Sequence, residues 1–458
     1  MKIAFIHPDL GIGGAERLVV DAAVGLQDRG HEVTVFTSRC DRNHCFEECR
    51  DGTLRVVVEG YQLVPANIGG RFAIVCAILR QLHLTLYLLR HYPNAFDCFV
   101  VDQLSFCVPL LRAFTSAKTL FYGHFPDQLL ASRSSALRRL YRLPFDWAEE
   151  ATTRQADVLV VNSKFTRGVF ARAFPRLAKT PEVVYPCVDV TAADAADYST
   201  EVVNYFREKD KRVVLSINRF ERKKDIDLAV KAFAGLKRRP DFPKAMLVVA
   251  GGYDTAVREN VEYLKELHAL CDRLGLSHAT CFNVDTASPA PFGTRASTAV
   301  LFLPSVSTPV KASLLMAASL LAYTPTNEHF GIVPLEAMLY RVPVLATNTG
   351  GPLETVRDPK DYPQRHSGWL RPAADVDAWT DVMARVFGTR AQAAQLAAAG
   401  DVGRDTVIQN FSKESMAERF EKILDAAERG PDLDSGLYML AGSLVLVAAI
   451  LVYIVWFV

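Results

Sequence analysis

The sequence predicts an α/β protein with two doubly wound parallel-sheet domains that follow one another along the chain. First, 458 residues are more than one small core needs, since about 150 residues per domain gives two or three domains. Second, 50% hydrophobic and 22% charged residues exclude a disordered chain, which has few apolar residues and a high net charge. Third, short β-like runs alternate with helical patterns, which is typical of a doubly wound parallel sheet.

The first domain is predicted to begin with a strand, a helix and a second strand at residues 2–7, 15–29 and 32–37. The first apolar run is too short for the core of a signal peptide and suits a buried parallel strand. Further strands are predicted at residues 98–101, 119–122, 158–161 and 183–185.

The pattern stops in a polar, alanine-rich stretch at residues 191–210 and then restarts, which predicts a linker between domains of residues 1–190 and 211–405. Residues 287–298, rich in Ala, Pro, Ser and Thr, predict an inserted surface loop. The expected architecture is two Rossmann-like domains that face a cleft. Strands of the second domain are predicted at residues 213–217, 246–250, 320–323 and 344–346.

The C-terminal residues 437–458 carry no charged side chain and predict a transmembrane helix. At about 1.5 Å per residue, such a helix spans about 33 Å, close to the hydrocarbon thickness of a bilayer. Tyr453 and Trp456 suit the membrane interface. The alternative is a buried C-terminal helix, although core helices of this length usually carry charge on one face. Because no signal-peptide pattern precedes it, the remaining chain is expected to stay in the cytosol.

Two other segments could contact a membrane. Residues 72–89 are apolar but contain Arg80 and His83, which favours an amphipathic helix at the membrane surface or against the core over a spanning one. A second segment carries arginines that suit a solvated face, anionic lipid headgroups or a substrate phosphate. These are Arg133, Arg138, Arg139 and Arg142.

Charge and cysteine content exclude several classes. The formal net charge of +1 gives no global attraction to nucleic acid, and no nucleic-acid partner is expected. Nine cysteines in a large chain favour a reducing compartment over a disulfide framework. Cys40, His44, Cys45 and Cys49 match no standard zinc spacing, so free thiols are preferred and no bound metal is expected.

A glycine-rich turn at residues 11–14 separates the first predicted strand from its helix. Such a turn lets backbone N–H groups approach a phosphate at the positive end of the helix. The dinucleotide fingerprint is incomplete, because Glu16 occupies its third glycine position and Arg39, not an acid, follows the second strand. This disfavours NAD and leaves NADP supported by Arg39 alone. A purely structural tight turn is the other alternative.

Cations follow the first predicted strand of the second domain, in the run Arg219 to Lys224. The carboxyl ends of strands face the ligand crevice in doubly wound folds. Arg219 and Lys224 could therefore clamp a diphosphate and neutralise a leaving group without metal. A solvated charge run is the alternative.

The most distinctive local pattern is the segment Glu328 to Glu336. Pro334 suits the first position of a helix, and Gly331 before it allows a ligand close to the backbone. Glu328 and Glu336 would lie on either side of an anion site, which suggests that each accepts hydrogen bonds from hydroxyl groups, one from a sugar and the other from a ribose. Simple helix capping is the alternative. His124 follows another predicted strand and is either a crevice residue or a structural histidine.

These motifs resemble the retaining glycosyltransferases of family 4, which have the GT-B architecture of two Rossmann-like domains and an E-x7-E motif. Within that family the chain is similar to mannosyltransferases of the dolichol pathway. The resemblance covers nearly everything before the C-terminal tail. It is carried by residues 1–30, 124–127, 162–163, 218–224, 251–254 and 324–338, with Ser307 and Lys311.

The resemblance implies GDP-mannose as donor, bound mainly by the second domain. Arg219 and Lys224 would hold its diphosphate, Glu328 the mannose hydroxyls and Glu336 the ribose. His124 would contact the sugar near the reacting centre, so that His124 and Glu328 are the implied catalytic residues. The remaining implied donor-binding residues are Gly13, Gly14, Gly252, Phe330, Gly331, Ile332 and Val333.

The resemblance also implies an acceptor, Man1GlcNAc2-diphosphodolichol, at the cytosolic face of the endoplasmic reticulum membrane. The enzyme would add an α1,3- and then an α1,6-linked mannose in lipid-linked oligosaccharide synthesis for N-glycosylation, without a cofactor. Other mannosyltransferases of the pathway are possible partners, and a helix at residues 406–430 would return to the first domain. The alternatives are another membrane-bound GT-B enzyme, for a different endoplasmic reticulum mannose transfer or for phosphatidylinositol, and an NADP oxidoreductase.

Overall fold

The computed structural model describes residues 1–61, 63–69, 72–130, 136–191, 193–194, 200–208, 210–284 and 298–430. The predicted transmembrane helix at 437–458 and all but the last residue of the predicted loop at 287–298 lie outside the described residues. The chain divides into two compact units. The first is Met1–Cys187 with the chain from Lys413 onward, and the second is Val188–Ser412.

The first unit contains a seven-stranded sheet in the order β3-β2-β1-β4-β5-β6-β7, in which every pairing is parallel. Its central strands are apolar along most of their length because helices cover both faces of a parallel sheet. The strands are β1 (Lys2–Leu10), β2 (Glu32–Cys40), β3 (Arg55–Val58), β4 (Cys98–Asp102), β5 (Lys118–Gly123), β6 (Val158–Val161) and β7 (Glu182–Val183).

Six α-helices lie between these strands in the described part of the unit. Separate apolar clusters, to which several of these helices contribute, lie on the two sides of the sheet. Ser163 caps α6, because its side chain accepts a hydrogen bond from the Thr166 amide at 3.0 Å. The helices are α1 (Gly14–Asp28), α2 (Ala73–His91), α3 (Val108–Phe114), α4 (Asp127–Leu130), α5 (Ala136–Thr153) and α6 (Lys164–Ala173).

The second unit contains another seven-stranded parallel sheet, in the order β10-β11-β9-β8-β12-β13-β14. Its core includes Phe233 and Trp379, both fully buried. The strands are β8 (Arg212–Ile217), β9 (Ala245–Gly251), β10 (His278–Thr280), β11 (Val300–Pro304), β12 (Ala318–Tyr323), β13 (Val344–Thr347) and β14 (Gly368–Arg371). The helices are α7 (Glu201–Glu208), α8 (Ile226–Ala234), α9 (Arg258–Arg273), α10 (Thr308–Ala317), α11 (Ile332–Leu339), α12 (Pro352–Thr355), α13 (Val376–Ala384) and α14 (Arg390–Asn410).

The predicted parallel sheets are confirmed, with differences at strand ends and edges. β1 continues past the predicted end at residue 7, and its pairing with β2 skips Pro8 and resumes at Asp9. Proline lacks the N–H that the ladder needs, but one missing bond does not end a central strand. The helix α7 lies inside the segment predicted as a linker. Four strands were not predicted, namely β3, β10, β11 and β14.

The apolar helix α2 packs one face against the first unit. Val75 and Ile78 contact Phe145 of α5, and the buried Arg80 donates from Nη1 to Asp9 Oδ1 at 3.0 Å. Among the described residues, α2 is the one helix whose length and composition would permit it to cross a membrane. Of the two placements that the sequence left open, the structure shows packing against the core.

The last described helix, α15 (Lys413–Arg429), belongs to the first unit. It starts later than the expected 406, because α14 extends to Asn410 in the second unit and the chain leaves helical geometry at Phe411. Met416, Phe420 and Leu424 on α15 are buried in the core that α1 also lines. A Cβ atom at Gly25 of α1 would lie 2.9 Å from the Ala417 Cβ, so the two helices are in close contact.

We predict that Gly25→Leu destabilises the protein by about 1–3 kcal/mol, because the added side chain overpacks the contact between α1 and α15. Thermal unfolding of the purified variant would show a lower Tm. The matched control is Gly168→Ala, another helix-interior glycine, where a Cβ meets only ordinary contacts and helix propensity should raise the Tm. An unchanged Tm for Gly25→Leu would contradict the packing of α15 on α1.

Candidate active site

The first unit places polar side chains at the topological switch point of its sheet. β1 and β4 are neighbours in the sheet although β2 and β3 separate them in sequence. Ligands of doubly wound folds bind outside the carboxyl ends of strands at this point. His7 lies in β1, Asp102 is the last residue of β4, and His124 follows β5.

Asp102 bridges the two histidines. Its Oδ2 lies 2.7 Å from His7 Nδ1, and its Oδ1 lies 2.8 Å from His124 Nε2. The side chains of His7 and Asp102 are buried, whereas 22% of the His124 side chain is exposed. The cluster therefore has one face open to a ligand, and that face belongs to the histidine that the sequence predicted.

The charges of this cluster favour an ionised Asp102 and a protonated His124. Burial raises the pKa of Asp102, but the charges and hydrogen bonds of His124 and His7 lower it more, to about 2. Burial lowers the pKa of His124, yet the charge and hydrogen bond of Asp102 and the charge of Glu16 raise it above its usual value. An ionised carboxylate only accepts hydrogen bonds, so both imidazoles donate to Asp102.

His7 and Asp102 were missed as site residues by the sequence reasoning. Asp102 directly follows the predicted strand at 98–101, and an acid at the end of a buried strand was the available signal. His7 was taken as a strand residue, which it is. Among the described residues no hydrogen-bond partner reaches the buried His7 Nε2, so within this part of the chain the His7 side chain hydrogen-bonds through Nδ1 to Asp102.

The predicted turn of Gly13 and Gly14 lies between β1 and α1. Gly13 precedes the first residue of α1, and Gly14 is that residue. The Glu16 carboxylate folds back over the turn, since a Cβ atom at Gly13 would lie 2.3 Å from Glu16 Oε2. Nothing lies within 4 Å of a Cβ atom at Gly14. A side chain at Gly13 would therefore displace Glu16, which contributes to the charge around His124.

The second unit repeats this arrangement at its own switch point, between β8 and β12. Lys224 follows β8, and Glu328 follows β12. Lys224 Nζ donates to Glu328 Oε2 at 2.5 Å, and both side chains are about four-fifths buried, with 18% and 21% exposed. Thr324 Oγ1 also donates to the Lys224 carbonyl oxygen at 2.7 Å, which ties the two loops together.

Tyr323, the last residue of β12, was not predicted as a site residue. Its buried hydroxyl hydrogen-bonds Glu328. Burial raises the pKa of Tyr323 well above its usual range, and the Glu328 charge raises it further. The hydroxyl thus stays protonated and donates, so Glu328 is held by two donors, Lys224 and Tyr323.

The cation run after β8 divides into one inward and several outward side chains. Only Lys224 points to Glu328. Arg219 is 72% exposed, with Glu221 Oε1 3.9 Å from its Nη1, and its stem lies over Gly252. Lys223 pairs with Glu221 at 3.0 Å on the surface. The structure therefore does not bring Arg219 and Lys224 into one contact, although both follow the same strand.

Gly251, beside Gly252, lets two loops approach. Its φ of 142° lies in the region that favours glycine, and a Cβ atom there would be 2.1 Å from the Asn218 carbonyl oxygen. The loop that carries Arg219 is therefore held against the end of β9. No larger residue fits Gly251 without separating the two strand ends.

Glu336 forms a second carboxylate–ammonium pair. It lies in α11, and its Oε1 accepts from Lys311 Nζ of α10 at 2.7 Å. Its buried Oε2 has no hydrogen-bond partner among the described residues. The resemblance matched Lys311 to a family residue without giving it a role. The structure shows that Lys311 holds one oxygen of Glu336, which leaves the other oxygen, Oε2, as an acceptor for a ligand.

The helix α11 begins earlier than predicted. Ile332 is its first residue, so Pro334 is the third and not the first, and Val333 lies between them. The first four N–H groups of a helix have no intrahelical partner, so proline is tolerated at the third position as well. Gly331 precedes the helix with a φ of 82°. The N–H groups of Ile332 and Val333 belong to the positive end of this helix.

The backbone around Glu328 is fixed by a glycine pair that the sequence reasoning missed. The Gly351 amide donates to the Glu328 carbonyl oxygen at 2.8 Å. A Cβ atom at Gly351 would be 1.9 Å from the carbonyl oxygen of the buried Phe330, and one at Gly350 would be 2.5 Å from the Glu328 carbonyl oxygen. The available signal was two glycines and a proline at residues 350–352, shortly after the predicted strand at 344–346.

The cysteine-rich segment after β2 holds free thiols. Cys45 is buried, and Cys40 and Cys49 are half-buried against the core, not on an open loop. Burial raises the pKa of Cys40 to about 12 and that of Cys49 to about 11, so both thiols are protonated at neutral pH. Within the described ranges, no group of three His, Cys, Asp or Glu side chains is arranged to hold a metal ion.

Two family profiles match most of the chain. The profile described as Glycosyltransferase Family 4 matches residues 12–192. The profile described as Glycosyl transferases group 1 matches residues 199–286 and 294–402. The two matches fall largely on the two structural units.

Solved structures with low sequence identity share the fold. Sucrose-phosphate synthase from Thermosynechococcus elongatus has a TM-score of 0.66 at 20% identity and covers 93% of this chain and 98% of its own. Anabaena HepE in complex with UDP has a TM-score of 0.63 at 20% identity, with 93% and 100% covered. With the two parallel seven-stranded sheets, these likenesses establish a GT-B-like fold.

Curated relatives are much closer in sequence. The α-1,3/1,6-mannosyltransferase alg2 of Schizosaccharomyces pombe is 51% identical over 426 residues, which is 92% of this chain and 80% of the relative. ALG2 of Rhizomucor pusillus is 47% identical over 461 residues, 99% of this chain and 98% of the relative. ALG2 of Saccharomyces cerevisiae is 46% identical over 433 residues, with 92% and 84% covered. The chain is therefore a glycosyltransferase and belongs to the Alg2 family of α-1,3/1,6-mannosyltransferases.

Proposed function

We propose that this chain transfers mannose from GDP-mannose to a lipid-linked oligosaccharide, forming the α1,3 and α1,6 linkages for which its relatives are named. The acceptor would be Man1GlcNAc2-diphosphodolichol, and the catalytic units would lie at the cytosolic face of the endoplasmic reticulum membrane, anchored by the predicted helix at 437–458. The observation that carries the proposal is the Lys224–Glu328 pair at the switch point of the second sheet.

In this proposal the donor diphosphate replaces Glu328 as the partner of Lys224. Lys224 moves its ammonium group from the carboxylate to the diphosphate, which carries more negative charge. Glu328 then accepts hydrogen bonds from mannose hydroxyls while Tyr323 continues to hold it. Arg219, on its exposed stem over Gly252, closes on the diphosphate from the same loop.

Glu336 is proposed to bind the ribose. A ribose presents hydroxyl donors, and the buried Glu336 Oε2 is an acceptor without a partner among the described side chains. Lys311 holds the other oxygen at 2.7 Å and fixes the orientation of the carboxylate.

Transfer breaks the bond between the mannose C1 and the phosphate oxygen, and the electron pair stays on that oxygen. The mannose C1 forms its new bond to an acceptor hydroxyl oxygen, and the proton of that hydroxyl passes to the released diphosphate. Positive charge placed at the diphosphate stabilises this transition state more than the ground state. Lys224, Arg219 and the amino end of α11 supply that charge. His124 is proposed to contact the mannose near the reacting carbon, held in position by Asp102.

An acceptor panel tests the proposal against the other GT-B enzymes. Purified protein would receive GDP-mannose and either Man1GlcNAc2-diphosphodolichol, other dolichol-linked glycans or phosphatidylinositol, with products read by mass spectrometry. Two successive mannose additions to the first acceptor are expected. Transfer only to phosphatidylinositol, or only from another nucleotide sugar, would overturn it. The family match removes the earlier alternative of an NADP oxidoreductase.

Lys224→Ala is predicted to lower kcat/KM for mannose transfer by on the order of 10²-fold or more, since it removes charge from the leaving diphosphate. Arg219→Ala should lose activity for the same reason. Lys223→Ala is the matched control, because this neighbouring lysine is 71% exposed and pairs with Glu221. Near-normal turnover of Lys224→Ala would show that the diphosphate binds elsewhere.

Asp102→Asn is predicted to shift the alkaline limb of the pH–rate profile to lower pH. The Asp102 charge raises the pKa of His124 and so keeps its proton to higher pH; without that charge, His124 loses its proton sooner. The loss should be on the order of tenfold at neutral pH and smaller at acid pH. Asp97→Asn, an exposed residue just before β4, is the control. An unshifted profile with uniformly lower activity would indicate a purely structural Asp102.

Transfer to a short water-soluble acceptor analogue is predicted to survive EDTA to within a few-fold. Lys224, Arg219 and the amino end of α11 already place positive charge at the proposed diphosphate site, where a divalent ion would compete for the same oxygens. The soluble analogue removes effects of the ion on lipid presentation. Abolished activity that Mn²⁺ or Mg²⁺ restores would contradict this mechanism.

A further inference from the structure

The helix α5 of the first unit exposes an apolar stripe. Leu140, Leu143 and Trp147 are spaced i, i+3 and i+7, which places them on one face of the helix. Their exposed fractions are 57%, 58% and 46%. The opposite face carries Phe145 and Ala148, which are buried against α2. The stripe is therefore not the core-facing side of an ordinary amphipathic helix.

The preceding helix α4 extends the apolar surface. Leu129 and Leu130 are 53% and 64% exposed, and α4 contacts α5. The two helices are held together by Arg142, whose Nη2 donates to Asp127 Oδ2 at 2.5 Å and to Asp146 Oδ1 at 3.1 Å. We define the α4–α5 surface as the set of five exposed apolar residues Leu129, Leu130, Leu140, Leu143 and Trp147.

The charge of this region is positive. Between Asp127 and Asp146 the sequence contains four arginines and no acid. Because Arg142 is committed to the two aspartates, it is not available to a headgroup, which corrects the expectation for the full arginine cluster. Arg139 is exposed beside the stripe. Arg133 and Arg138, whose side chains lie outside the described set, add two more charges to the same stretch of sequence.

From these observations we infer that the α4–α5 surface docks on an anionic lipid bilayer and holds the first unit against the membrane that contains the acceptor. Leucine and tryptophan beside arginines are the composition of an interfacial helix, in which tryptophan lies at the headgroup level. Five apolar side chains are far fewer than the roughly 20–30 residues that each partner contributes to a stable protein interface. A second copy of the chain is therefore the less favoured occupant.

The position of the α4–α5 surface in the fold also supports a lipid bilayer as its binding partner. α4 begins three residues after His124, so the surface is continuous in sequence with the residue proposed to contact the transferred mannose. The inference rests on the proposed function, in which the lipid part of the acceptor stays in the bilayer while its sugar reaches His124. Docking by the α4–α5 surface would bring the end of β5, which His124 follows, close to the bilayer.

A quenching experiment on the full chain tests the contact directly. The chain has four tryptophans, of which Trp369 and Trp379 are buried, so Trp147 and Trp456 are the ones that lipid could quench. Protein would be mixed with phosphatidylcholine vesicles that contain phosphatidylinositol and lipids brominated near the headgroup end of the acyl chain. We expect quenching of wild type that exceeds that of Trp147→Phe, because Trp456 is common to both. The difference should decrease at high salt.

Transfer assays give the second arm. Leu140→Glu with Leu143→Glu should lower transfer to the dolichol-linked acceptor in vesicles at least about tenfold, since each leucine would lose its burial in the bilayer. Transfer to the water-soluble analogue should stay within a few-fold, which also shows that the variant is folded. Ile408→Glu, at an exposed isoleucine of α14 in the second unit (40%), is the matched control and should leave both reactions unchanged.

The two arms separate the possible failures. Equal quenching of wild type and Trp147→Phe would overturn the membrane contact, even if transfer occurs as proposed. Equal losses on both acceptors would overturn it as well, because the leucines would then act on the fold or on the reaction. Concentration-dependent dimers that shield Trp147 would assign the surface to a second copy. No mannose transfer by wild type to either acceptor would count against the proposed function and leave the quenching result interpretable.

Discussion

Buried charge at the ends of parallel strands is the constraint on which both units depend. A carboxylate removed from water needs compensating donors, because burial alone favours its neutral form. Asp102 obtains two imidazoles from neighbouring strands, and Glu328 obtains Lys224 and Tyr323. The two switch points therefore follow one rule, an acid after one strand that is hydrogen-bonded by at least one residue from a neighbouring strand. Each buried acid is thus hydrogen-bonded by side chains of its own unit.

Much of the fold could be predicted from the sequence, because buried parallel strands are apolar along most of their length. β6 agrees with its predicted range, and the predicted central strands differ from the structure mainly by one to three residues at their ends. The short edge strand β10 could not be found in this way. It has three residues of which none is fully buried, so it carries no hydrophobic signal. Its conformation depends on pairing with β11.

The site was predictable where a residue lies next to a strand end, and not where its role depends on a distant partner. Glu328, Lys224 and His124 were found because each follows a predicted strand. Nothing in the sequence places Lys224 beside Glu328, which lies 104 positions later, because that contact depends on the strand order of the finished sheet. Asp102 also lies next to a predicted strand end and was still missed, and its two histidine partners, which come from the strands that flank β4, could not be read from the sequence.

The position of α15 has a consequence for biosynthesis. Met416, Phe420 and Leu424 complete the core of the first unit, although they are made only after the whole second unit, Val188–Ser412. At about 5–20 residues per second, synthesis of that stretch takes tens of seconds. During this interval the side of α1 that will meet α15, which includes Gly25, is not yet covered by that helix. We therefore expect the nascent first unit to expose this apolar surface until α15 emerges from the ribosome.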